Sequence, residues 1–190
     1  MKLDLTPMKV VFVLIAIMLF IVTMGGLCIL LEETGLVNNR ITRFFSKLFS
    51  LDGEFNIPAA FSVLLIQANA LLLFLIAMGE RAERSKYNIF WLVLSMVFLF
   101  LSFDESWMIH DVWNDIIKKY FVETSGFLKF AWIIPYGVGL ILFTSLLIPF
   151  LIHLPSRTRK LFLISGGIYV LGALGMEATG GKIAEAYGYE

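Results

Sequence analysis

Two adjacent carboxylates, Asp104 and Glu105, close an apolar run that begins near Asn88, and His110 and Asp111 follow shortly after. A charged side chain in the middle of a membrane segment costs about 3 kcal/mol or more unless it pairs or faces a cavity, so such groups mark a candidate site. Carboxylates beside one imidazole suit two chemistries. They can hold a divalent metal such as zinc, iron or manganese, or they can tune one another's proton affinity and relay protons. A metal-assisted hydrolase, with Glu105 or Glu177 as general base, is a special case of the first. Glu105 and His110 stand five residues apart, whereas two ligands on one helix face need three or four. No nucleophile elbow, paired-histidine zinc motif or phosphate loop names an enzyme class.

On one continuous helix Asp104 and Asp111 lie within about 20° of each other, Glu105 about 100° from Asp104, and His110 about 140° from Glu105. These groups therefore point to different neighbours, and other helices must complete the site. The candidates are Glu32 at the end of the first apolar run, Glu54 ahead of a second and Glu177 late in a fifth, with Asn56, Trp132 and Tyr136 in support. Glu177 is the sharpest of these, because its helix is lined with small residues that suit a buried position. The plainer alternative is that Trp107, Trp113, Trp132 and Tyr136 form an interfacial aromatic belt and that Asp111 begins a loop.

The elements that must position these residues follow from composition. Of 190 residues, 59% are hydrophobic and 16% charged, where a soluble domain carries about 25% charged. The expected fold is all-α, a single transmembrane helix bundle over residues 1–190. A helix needs about 20 apolar residues to cross a bilayer, and five runs qualify: 8–31, 57–79, 87–110, 127–154 and 161–179. Net charge is zero, which gives no reason to expect a nucleic-acid partner. The single cysteine, Cys28, excludes an intramolecular disulfide.

Between the first two runs, Ile41, Phe44, Phe45, Leu48 and Phe49 recur at helical spacing with Arg40, Arg43 and Lys47 among them. Segment 40–50 is an amphipathic interfacial helix or a short helix packed on the bundle. Pro135, inside the fourth run, predicts a kink. Ser165, Gly172, Gly175 and Thr179 make a smooth stripe on the fifth, which predicts close helix packing inside the bundle.

Five alternating crossings put the ends of spans one, three and five on the same side as the starts of two and four. Glu32, Glu33, Asp52, Glu54, Asn56, Asp104, Glu105, His110, Asp111, Trp132, Pro135, Tyr136 and Glu177 then share one side of the membrane. The short loops on the other side carry Arg81, Arg84, Lys86, Arg157, Arg159 and Lys160. The positive-inside rule puts those loops and the N-terminus in the cytoplasm and the acidic side outside.

Three stretches resemble a known pattern. Leu51-Asp52-Gly53-Glu54-Phe55-Asn56-Ile57-Pro58, Leu101-Ser102-Phe103-Asp104-Glu105 with His110, and Gly172-Ala173-Leu174-Gly175-Met176-Glu177 are similar to those of a family of uncharacterised bacterial multi-pass membrane proteins. The resemblance covers most of the chain. It implies a place in the bacterial cytoplasmic membrane and no established activity. Similar sequences run on into a further acidic helix, which implies a sixth span after residue 190. Two functional classes are thus expected. One is a cation-, metal- or proton-binding site at one end of a bundle in the lipid bilayer. The other is a non-catalytic subunit or assembly factor, working as a homo-oligomer or in a larger membrane complex.

Overall fold

The computed structural model describes residues 6–121 and 124–188, so a sixth span after residue 190 lies outside the described residues. Among them every regular element is helical. The helices are α1 (Pro7–Glu33), α2 (Arg40–Phe49), α3 (Ile57–Ala82), α4 (Asn88–Trp107), α5 (Ile109–Tyr120), α6 (Ile133–His153) and α7 (Ser156–Tyr187). Five of them, α1, α3, α4, α6 and α7, are long and apolar enough to cross a membrane. The chain falls into two compact units, Met1–Ala68 and Asn69–Glu190.

In the first unit, local chemistry sets each helix start. The Thr6 hydroxyl accepts from the Lys9 amide at 3.4 Å, and Pro7 takes the first helical position, where a missing N–H costs nothing. Asn39 caps α2 by accepting from the amides of Ile41 and Thr42, both at 2.9 Å. α2 then runs back along the C-terminal half of α1. The Ser46 hydroxyl donates to Glu32, the Cys28 thiol donates to the Phe45 carbonyl at 3.7 Å, and Phe20 meets Phe49 edge-on at 6.1 Å. Gly25 permits this approach, since a Cβ there would fall 2.9 Å from the Phe49 oxygen. In the next turn the Asn56 amide donates to the carbonyls of Ser50 and Gly53, both at 2.7 Å, and its Oδ1 accepts from the Ala59 amide at 3.0 Å. Asn56 is therefore the cap of α3.

The second unit is built on one buried apolar cluster. Leu73 and Ala77 of α3, Trp91 and Leu94 of α4, and Leu147, Phe150 and Leu154 of α6 form it. Phe150 is fully buried; it stacks on Phe90 at 5.3 Å and meets Trp91 edge-on at 4.9 Å. The Ser95 hydroxyl donates to the Ala70 carbonyl at 2.8 Å and ties α4 to α3. Between membrane helices such packing stabilises by close contact and by hydrogen bonds rather than by escape from water.

Three boundaries differ from the sequence expectation. The third span does not run on through His110. α4 stops at Trp107, Met108 adopts the left-handed conformation (φ 53°, ψ 41°), and α5 starts at Ile109. Asp104 and Asp111 therefore do not share a helix, and the angular reckoning across 104–111 does not hold. Asp111 does not begin a loop, because it lies in the first turn of α5. The fourth span is preceded by a 3₁₀ turn, Gly126–Leu128, and starts only at Ile133. Pro135 thus falls in the first turn of α6, where its missing N–H displaces no bond. The proline inside α6 is Pro149, which leaves the Ser145 carbonyl without its helical donor.

The fifth span is a single helix of 32 residues, and no residue of its most apolar stretch is buried. It contains a π turn over Leu171–Met176. A Cβ at Gly172 would meet nothing within 4 Å, and one at Gly175 only Leu171 at 3.9 Å. The close approach expected at these glycines is found instead at Gly181. A Cβ there would lie 3.0 Å from the Cβ of Lys129 and 3.3 Å from the Gly126 oxygen. The end of α7 packs on the 3₁₀ turn, where Glu185 accepts from the Gly126 amide and Lys182 Nζ stands 4.4 Å from the Phe127 ring centre.

Candidate functional site

Asp104 occupies the last turn of α4, and its side chain is only 10% exposed. Three elements of the second unit close around it. The left-handed turn at Met108 redirects the chain so that His110, in the first turn of α5, places Nδ1 3.5 Å from Asp104 Oδ2. From the first turn of α6, the Tyr136 hydroxyl donates to Asp104 Oδ1 at 2.6 Å. On its other edge the imidazole places Nε2 3.9 Å from Asp111 Oδ1.

Trp132 forms the wall of this group. It is buried, and its ring lies 5.3 Å from that of His110 and 5.1 Å, edge-on, from that of Tyr136. Asn114 of α5 accepts from the Ala131 amide at 2.7 Å. This bond pins α5 to the entrance of α6, so the imidazole, the indole and the phenol are held by one another's backbones. A carboxylate on one ring nitrogen orients the imidazole and fixes which nitrogen faces the far side.

The side chains form a graded line: Asp104 is 10%, His110 20% and Asp111 56% exposed. A buried carboxylate is thereby connected to the surface through the one side chain type that readily takes and gives a proton near neutrality.

Five of the expected residues thus come together: Asp104, His110, Asp111, Trp132 and Tyr136. Glu105 and Glu177 do not share their burial. Glu105 is exposed on α4, with Tyr169 of α7 in the field of both it and Asp104. Glu177 is exposed immediately after the π turn. In the first unit Glu54 is exposed, and the buried Asn56 is engaged as a helix cap. Sequence reasoning missed Met108 and Asn114. Methionine carries no left-handed preference, so nothing marked the break; once α5 is recognised as a helix, Asn114 stands out as a polar residue on its inner side. It also missed Ser102, fully buried two residues before Asp104, whose hydroxyl has no hydrogen-bond partner among the described residues.

No curated protein and no solved structure matches the chain. Residues 10–190 match the model of a family described as a domain of unknown function, DUF8692, and the chain belongs to that family.

Proposed function

We propose that this membrane protein takes up and passes a proton through the line Asp104–His110–Asp111. The single observation that supports this reading is the graded exposure of the three groups, with the innermost carboxylate held by the Tyr136 hydroxyl. Asp104 is the seat of the proton, His110 the carrier, and Asp111 the surface acceptor. Tyr136 and Trp132 position the carboxylate and the ring. A divalent cation on the outer edge of the imidazole would find His110 Nε2 and Asp111 as ligands, with Asp104 left to Tyr136. In our reading the N-terminus is cytoplasmic and the line opens outward, supported by the basic residues of the short loop 83–86 and of the first turn of α7, Arg157, Arg159 and Lys160.

The test uses the purified protein in liposomes loaded with a pH-sensitive dye. Asp104→Asn and His110→Gln should each lower the rate of proton uptake about tenfold or more, the usual scale for a positioned proton carrier. Asp115→Asn, exposed on the same α5, should leave it unchanged. Elemental analysis separates the cation reading: stoichiometric metal in the wild type, lost in Asp111→Asn, would favour it. A well-folded protein that neither binds metal nor carries protons would sink both.

A second reading, a non-catalytic subunit or assembly factor, draws on a different observation. The small-residue stripe of α7 meets nothing at Gly166 and Gly172, and such stripes suit a partner helix. Stable copurification of the chain with a larger membrane complex, lost on Gly172→Leu, would favour it.

A further inference from the structure

The three sides of α2 do different things. At 100° per residue, Thr42, Ser46 and Phe49 share one side, and Ser46 and Phe49 are the residues that α2 buries against α1. About 100° round the helix, Ile41, Phe44 and Phe45 present an apolar face that is 69%, 59% and 48% exposed. The remaining side carries Arg40, Arg43 and Lys47, all exposed, and the helix contains no acidic residue. Leu36, Leu51 and Phe55, also exposed, extend the apolar surface beyond both ends.

Depth is set by the partner helix. α2 packs along α1 from Phe20, near the middle of that helix, to Glu32, where the apolar run ends in two carboxylates. In a spanning helix that is the level at which hydrocarbon gives way to headgroups. An amphipathic helix with an aromatic face and a basic flank, held at that depth, matches an anionic bilayer surface. Glu32 of α1 accepts from Ser46 on the packed side, away from the basic flank.

We infer that α2, lying along the C-terminal half of α1, is an anchor that holds anionic phospholipid. Ile41, Phe44 and Phe45 lie below the headgroups, and Arg40, Arg43 and Lys47 bind their phosphates. This holds independently of the proton line in the second unit.

The experiment uses the full chain in nanodiscs of phosphatidylglycerol and phosphatidylcholine in equal parts. A spin label at Phe44→Cys, in a Cys28→Ser background, should collide with oxygen more than with a water-soluble nickel chelate. Native mass spectrometry of the released protein should show phosphatidylglycerol enriched about threefold over phosphatidylcholine, falling to the ratio of the mixture in Arg40→Gln/Arg43→Gln/Lys47→Gln. That variant keeps every α1 contact, and an unchanged circular dichroism spectrum confirms that it folds. The inference is overturned if the nickel chelate reaches position 44 freely. It is equally overturned if neither reagent reaches it, which means that a second copy or another protein covers the face. Equal enrichment in the wild type and the triple variant overturns the phosphate contact.

Discussion

Tyr136 supplies Asp104 with the donor that water would otherwise provide. Removing the hydroxyl leaves a buried carboxylate oxygen short of a partner while the phenyl ring still fills the space. Tyr136→Phe should therefore lower stability by about 1–2 kcal/mol, read from unfolding in mild detergent, because a hydrogen bond to a charged group is worth that much or more. The loss should be much smaller in an Asp104→Asn background, where the charge that the hydroxyl serves is gone; an undiminished loss would mean that the ring's packing dominates. At this scale the sequence was informative about type and silent about pairing. Asp104, His110, Trp132 and Tyr136 were all recognisable as polar or aromatic residues at the ends of greasy runs. Which of two adjacent carboxylates turns inward was not, because that choice depends on where α4 stops.

That stop is a matter for the elements. Apolar runs of about 20 residues declare themselves, so five crossing helices and the amphipathic α2 were legible, α2 to within one residue at its end. The break at Met108 was not, because the residues around it, Trp107, Met108 and Ile109, continue the apolar run, and no glycine or proline marks the turn. A left-handed L-residue costs roughly 1–2 kcal/mol. Met108→Gly should relieve part of that and raise the unfolding midpoint, whereas Met108→Val, β-branched, should lower it and loosen His110 from Asp104. The check is the thermal midpoint of both variants beside their proton uptake. If valine costs nothing, the turn is not what directs α5. The helix-start errors have a similar origin. Gly126 and Phe127 read as the start of a span, but the chain first makes a 3₁₀ turn that receives Gly181 and Glu185 of α7, a contact between distant segments that no local pattern encodes.

For the whole molecule, a count of crossings says which termini share a side, and basic residues in short loops say which side is inside. A reporter active only in the cytoplasm should work when inserted at 83–86 and fail when inserted at 124–125, both outside the long helices. The reverse result would invert the orientation, and activity at both would reduce the number of crossings between them from one. What counting could not supply is convergence. It placed twelve polar and aromatic residues and Pro135 on one side of the membrane, but the structure builds its buried set from only α4, α5 and α6 of the second unit. Asn56 is spent as the cap of α3, and Glu177 lies in an exposed stretch of α7. Sharing a membrane level is a one-dimensional condition, and a site needs three.

The π turn in α7 has a consequence of its own. A π turn closes each hydrogen bond one residue later than an α-turn, so it winds in about one extra residue, worth about 100° of rotation. Residues before Leu171 and after Met176 are therefore out of phase with a single helical wheel drawn through both. Ser165 and Thr179, two members of the small-residue stripe in the sequence, face different ways in space. Glu177 is likewise turned by that slip from the side on which numbering alone would set it, and excising one residue from the turn would bring the two halves back into step.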